Sequence, residues 1–99
     1  MEKRAPHYIL SDVQAAVSRR GIRAFTVTAR QNAIAMGLTA SEAVNAILSM
    51  ERDHFYKSMT TRLDHTMWQD IYHVPTHAGT AYVKVTLCDG SVVIQFKKR

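Results

Sequence analysis

Residues 80–98 read TAYVKVTLCDGSVVIQFKK, and their pattern decides how half of the chain folds. Asp89-Gly90 is a strong two-residue turn signal, because both residue types tolerate a positive φ. With that turn closed, Cys88 faces Ser91 and every further pair follows by counting outward. Leu87–Val92, Val85–Ile94 and Val83–Phe96 then share an apolar face that must lie against another layer. Thr86–Val93, Lys84–Gln95 and Tyr82–Lys97 share the opposite face. A slip of one residue would carry Lys97 into the core, so the register is well specified. It sets a phenol directly across from an ammonium on the open side of a sheet.

Outward from this hairpin, alternation and β-rich residues predict two more strands near 54–61 and 66–73, beside those at 80–88 and 91–98. Before residue 52 the pattern is helical. Ser11 with Gln14, Thr28 with Gln31 and Thr39 with Glu42 each fit a capping box. Gly21 and Gly37 stand where helices need a left-handed C-terminal residue. Val13, Ala16 and Val17 share one helical face, and Ala40, Val44, Ile47 and Leu48 share another. Short extended pieces at His7–Leu10 and Ile22–Phe25 are candidates for edge strands. The simplest assembly is an α+β fold, a curved antiparallel sheet with helices packed on one face.

Ninety-nine residues suit a single domain, 1–99, with one modest core. The chain is 46% hydrophobic and 21% charged, which are ordinary globular values and argue against disorder. Net charge +5 and a pI near 9.7 favour a polyanionic partner, nucleic acid above all, although a soluble protein can be basic without one. The one cysteine, Cys88, excludes an internal disulfide and fits a reducing, cytoplasmic setting. No segment has the length and apolarity of a membrane span, and no apolar run follows Glu2, Lys3 and Arg4 as a secretory signal would require.

The richest stretch for function is FYKSMTTRLDHTMWQDIY, residues 55–72. It places Lys57 and Gln69 among Phe55, Tyr56, Trp68 and Tyr72 on two strands flanking a polar turn. Cations beside aromatic faces suit single-stranded RNA, with charge for the phosphate and rings for the bases. Cleavage of RNA needs no metal if a 2′-hydroxyl attacks the adjacent phosphorus, a tuned side chain takes its proton and cations stabilise the phosphorane. Lys97 is placed to favour the Tyr82 phenolate, and Lys57 or Lys84 to contact phosphate. The same Tyr82–Lys97 pair also reads as a solvated cross-strand contact worth roughly 0.2–1 kcal/mol. Gln69 suits a phosphate oxygen or a base edge. Simple alternation nevertheless puts it on the side of Met67 and Ile71, toward the core, unless a bulge re-aims it.

Other candidates carry less chemistry. Pro75 between His73 and His77 argues against one regular helix or central strand presenting both to a metal, so a surface loop is expected. Asp64-His65 reads as an oriented imidazole or as a polar turn with an Asp cap. Arg19, Arg20 and Arg23 are explained by the dipole at the end of the first helix. Trp68 and Phe55 are expected in the core rather than as base platforms.

MEKRAPH (1–7), FYKSMTT (55–61), DHTMWQDIY (64–72) and VIQFKKR (93–99) resemble the MqsR family of toxins, the mRNA interferases of type II toxin–antitoxin systems. The resemblance runs in order along nearly the whole chain, with residues 28–50 matching in pattern more than identity. It implies a RelE/YoeB-like ribonuclease fold, no cofactor, and cleavage of mRNA at short GC-containing sites without the ribosome. It carries a catalytic assignment onto Lys57, Gln69, Tyr82 and Lys97, two of which the hairpin register already sets side by side. Tyr56, Arg62, His65, Lys84 and Lys98 are expected RNA contacts. The implied partner is an MqsA-like antitoxin with a zinc-binding domain and a helix-turn-helix DNA-binding domain, so the zinc would belong to the partner. Two positions depart from the family pattern: Arg62-Leu63 where an aromatic residue is frequent, and His73 where an arginine is frequent. The competing reading is a non-catalytic nucleic-acid-binding or antitoxin-interaction subunit that regulates transcription.

Overall fold

The computed structural model describes residues 1–99. In chain order the elements are β1 (Glu2–Lys3), α1 (Leu10–Arg20), α2 (Val27–Ala35), α3 (Ala40–Leu48), β2 (Phe55–Thr60), β3 (Trp68–Thr76), β4 (Gly79–Cys88) and β5 (Ser91–Lys98). Short 3-10 turns at Gly21–Ala24 and Arg52–His54 join them. The five strands form one antiparallel sheet in sequence order, with the helices on one face. No helix is long and apolar enough to cross a membrane.

The last hairpin has the expected register throughout, from Cys88↔Ser91 to Tyr82↔Lys97. Asp89 and Gly90 have φ of 51° and 77°, the left-handed geometry a two-residue turn needs to match strand twist. Its apolar side is the main core: Val83, Val85, Val92, Ile94 and Phe96 are buried against Val13 and Val17 of α1, Ala29 and Ala33 of α2, and Ala43 and Ile47 of α3. Strand β5 would be an open edge, but the chain around α2 covers it. The Thr26 amide donates to the Ile94 carbonyl (3.0 Å), and Asn32 Nδ2 donates to the Phe96 carbonyl (2.9 Å). Edge carbonyls that would otherwise recruit another strand are thereby used.

The other half of the sheet is held differently. Ser58, Thr60 and Asp70 are the buried polar side chains of the protein, and all lie on β2 and β3. Asp70, 1% exposed, accepts the backbone N–H of His7 (3.0 Å) and of Tyr8 (2.9 Å). The Tyr8 hydroxyl donates to the Trp68 carbonyl (2.7 Å), and the Thr60 amide donates to the Met1 carbonyl (3.0 Å). Here the N-terminal segment, not a helix, covers the sheet. Its hydrogen bonds stand where the other hairpin makes apolar contacts, and only farther along β3 do Tyr72 and Val74 join the helix-packed core.

Several expectations are corrected. The edge strand is Glu2–Lys3; His7–Leu10 runs into α1, and Ile22–Ala24 is a 3-10 turn followed by one parallel bridge, Phe25↔Ile94. Of the three capping boxes only Thr39–Glu42 forms. Helix α1 begins after Ile9 without a side-chain cap, and α2 is capped by Thr26, whose hydroxyl accepts the Ala29 amide, two residues before Thr28. The buried stripe of α3 is Ala43, Ala46 and Ile47, with Val44 half-buried, while Ala40 and Leu48 are exposed. Pro75 lies inside β3, paired with Thr80. It is tolerated because β2 pairing ends at Phe55↔Tyr72, so the missing N–H faces no strand there. Trp68 and Phe55 are half-buried rather than central to the core.

Candidate active site

The helix-free face is built by parity. Because Asp70, Tyr72 and Val74 point to the covered side of β3, Gln69, Ile71 and His73 point to the open side. Gln69 needs no bulge to reach it. The alternation argument failed because it took Ile71 as a marker of the core. Ile71 is fully buried, yet it stands outside the helix-packed cluster, in the row between Lys57 and Lys84.

Two adjacent rows cross this face. One runs His73–Tyr82–Lys97 over β3, β4 and β5, and the next runs Lys57–Ile71–Lys84–Gln95 over β2 to β5. A register shift between Phe55 and Lys57 bends β2 where it borders them. It leaves Phe55 edge-on to Tyr72 and Tyr56 stacked on His73, with ring centroids 5.6 and 4.5 Å apart. His73 is in turn 5.6 Å from the Tyr82 ring. Three rings thus line up across three strands: Tyr56, His73 and Tyr82.

Cations surround this line. Lys97 Nζ is 5.0 Å and Lys84 Nζ 6.0 Å from the Tyr82 centroid, and Lys57 Nζ is 5.3 Å from that of Tyr56. Lys57 also makes a 2.7 Å ion pair with Glu2 of β1. The hydrogen bond to Glu2 raises the Lys57 pKa above its usual value against some desolvation, and Tyr56 and Tyr82 add to the rise. The same contact lowers the Glu2 carboxyl. Burial, with the Arg99 charge second, lowers His73, so its imidazole favours the neutral form.

Lys57, Gln69, Tyr82 and Lys97 therefore share one face, but not one point. Tyr82 and Lys97 are direct neighbours and Lys57 is one row away. Gln69, opposite Met59, is four residues from His73 along β3, about 13 Å at the rise of a strand. Tyr56 and Lys84 belong to the same face. Arg62 and His65 lie exposed in the turn between β2 and β3, where Asp64 accepts from the Thr66 amide (2.8 Å) and caps the loop. Lys98 has the parity of Phe96 and falls on the other side of the sheet. His77 pairs with Glu42 (2.7 Å), far from His73 in role, and no cluster of three or more His, Cys, Asp or Glu side chains could hold a metal.

A basic, aromatic face on a helix-backed antiparallel sheet can be placed among known proteins. Residues 5–98 match the family described as motility quorum-sensing regulator, toxin of MqsA. Over 99 residues, the whole length of both chains, the sequence is 39% identical to the mRNA interferase toxin MqsR of Escherichia coli (strain K12). The chain belongs to the MqsR toxin family. Within this MqsR-family chain, sequence reasoning missed His73 as the centre of the ring stack and Glu2 as the partner of Lys57. The 73↔82 pairing would have exposed the first, because Tyr72 and Val74 against Val83 and Ala81 fix the register of β3 on β4. Nothing in the sequence signals the second, since a two-residue strand has no alternation to read.

Proposed function

We propose that this MqsR-family toxin, one domain over 1–99, is an endoribonuclease that cuts single-stranded mRNA on its helix-free face and so arrests translation. The observation that carries this reading is the direct pairing of Tyr82 with Lys97, flanked by Lys57 and Lys84. The name of the 39% identical relative supports the substrate class. In the reaction the 2′-oxygen of one nucleotide bonds to the adjacent phosphorus, and the bond to the 5′-oxygen breaks. Tyr82 transfers the proton from the attacking hydroxyl, and a lysine ammonium returns one to the departing oxygen. Lys97 and Lys57 stabilise the phosphorane charge. The Tyr56–His73 stack offers ring faces to unpaired bases, which favours single strands over duplex. Gln69, two rows away, suits a neighbouring nucleotide. The toxin acts in the cytoplasm, restrained by an MqsA-like antitoxin that carries its own zinc and DNA-binding domains.

The test is cleavage of a purified mRNA in EDTA by wild type, Tyr82→Phe and Lys97→Ala. Wild-type cleavage that falls at least about tenfold in both folded variants supports the assignment. Binding without any cleavage by wild type overturns the enzyme reading in favour of a binding module.

A further inference from the structure

Beyond Tyr82 and Lys97 the open face runs into a cleft of about 420 Å³ between α2 and strands β4 and β5. Its size lies within the roughly 300–1,000 Å³ typical of small-ligand pockets. We propose that this cleft receives one unstacked nucleobase of the RNA, from a nucleotide flanking the cleaved phosphate, and reads its hydrogen-bonding edge. The proposal rests on the ribonuclease reading only for which base is bound, not for whether one is.

The distribution of chemistry favours a base over a phosphate. Cations reach the cleft only from the sheet, as Lys84 and Lys97, which also border the catalytic row. The helix side offers hydroxyls and an amide: Thr26, Thr28 and Asn32. Ala29 and Phe96, almost wholly buried, only close the bottom of the cleft, and the half-buried Tyr82 gives it an aromatic wall against which a flat ring can lie. An anion would leave that wall and those neutral groups unused, whereas a base uses both.

Two of the polar groups are already oriented by the fold. Asn32 Nδ2 donates to the Phe96 carbonyl (2.9 Å), which fixes the carboxamide and leaves its Oδ1 as an acceptor. Thr26 Oγ1 accepts from the Ala29 amide (3.0 Å), so its O–H remains as a donor. A fixed acceptor beside a fixed donor discriminates among bases, because a mismatched edge leaves buried polar groups unpaired. The bonds that close the edge of β5 thus also preset the reader.

The direct experiment follows amide chemical shifts in the full chain during titration with 3′-GMP, 3′-CMP, 3′-AMP and 3′-UMP, with ribose 5-phosphate as a base-free probe. Saturable shifts are expected at the Thr28 and Ala29 amides and the Asn32 side-chain amide. The best base should bind at least about fivefold tighter than the poorest. Ribose 5-phosphate should not reproduce these shifts. Thr28→Phe, at an exposed position on the rim, fills the cleft and should abolish them while leaving the rest of the spectrum in place. Gln95→Ala, from the sheet wall, should weaken base discrimination without closing the cleft. Equal responses to all five probes, or shifts confined to Lys57, Lys84 and Lys97, overturn the proposal. Base-selective shifts in a protein that cuts no RNA keep the base site and discard the ribonuclease reading. Cleavage without base-selective shifts does the reverse.

Discussion

The two long hairpins present one working face but are secured to the molecule by opposite means. Strands β4 and β5 turn Val83, Val85, Ile94 and Phe96 into a helix-covered core. Strands β2 and β3 turn Ser58, Thr60 and Asp70 to the corresponding side and meet the backbone of the N-terminal segment there, and only the far end of β3 adds Tyr72 and Val74 to the core. Tyr82 and Lys97 stand on the hydrophobically anchored half, Lys57 and Gln69 on the hydrogen-bonded one, and His73, between the core residues Tyr72 and Val74, where the two meet. Apolar burial is indifferent to direction and tolerant of small shifts. A buried carboxyl group holding two partly buried N–H groups is tolerant of neither. The proposed catalytic pair is thus fixed to the more forgiving anchor, and its phosphate- and base-facing neighbours to the stricter one.

Truncation of each anchor gives the sharpest contrast. Phe96→Ala removes a fully packed ring and is expected to cost about 4 kcal/mol in urea unfolding. Asp70→Ala leaves the His7 and Tyr8 amides without a partner and is expected to cost about 3 kcal/mol. If Asp70→Ala proves as mild as a surface substitution, the N-terminal segment is not an anchor and the distinction between the halves falls.

A smaller effect appears with pH. The His73 pKa is lowered in the folded chain, chiefly by burial. Between that value and the ordinary 6.5, the unfolded chain binds more protons. Its stabilising contribution is therefore complete above about pH 6.5 and is lost as pH falls through the folded value. Midpoints measured from pH 7.5 down to 5 should fall less steeply for His73→Gln than for wild type. Parallel slopes would remove His73 from the account of where the two halves meet.

The smallest change in stability is expected for Glu2→Gln. The Glu2–Lys57 pair is at the surface, so its loss should leave the melting temperature essentially in place. RNA binding at low salt should instead tighten a few-fold, since Lys57 is released for phosphate. Unchanged affinity would mean that Lys57 does not contact the backbone of the RNA.

The same contrast explains what the sequence disclosed. In β4–β5 the Asp89-Gly90 turn and strict alternation left one register, and the Tyr82–Lys97 pair followed from counting. Thr39–Glu42 was legible for the same reason: its reciprocal bonds are local. The β2–β3 half was less legible because three of its inward residues, Ser58, Thr60 and Asp70, are polar, although Tyr72 and Val74 join the core. Asp70 looks like a surface residue until its backbone partners 62 and 63 positions away are known, so alternation alone pointed Gln69 to the core and left its facing open. Ile71, apolar but on the open face, strengthened that misleading signal. Edge strand β1 left no pattern in two residues, and the cap of α2 moved to Thr26 because that residue also bonds β5.

Trp68, the sole tryptophan, stands at the seam of the stricter anchor, stacked on His7 at 5.4 Å with the Lys3 ammonium 4.2 Å from its ring. The chain therefore carries its own optical reporter for one half only. Intrinsic fluorescence registers release of residues 1–8 from β3, whereas far-ultraviolet dichroism follows the helices packed on β4 and β5. Detachment of the N-terminal segment would separate the two signals, and a single cooperative transition would superimpose them.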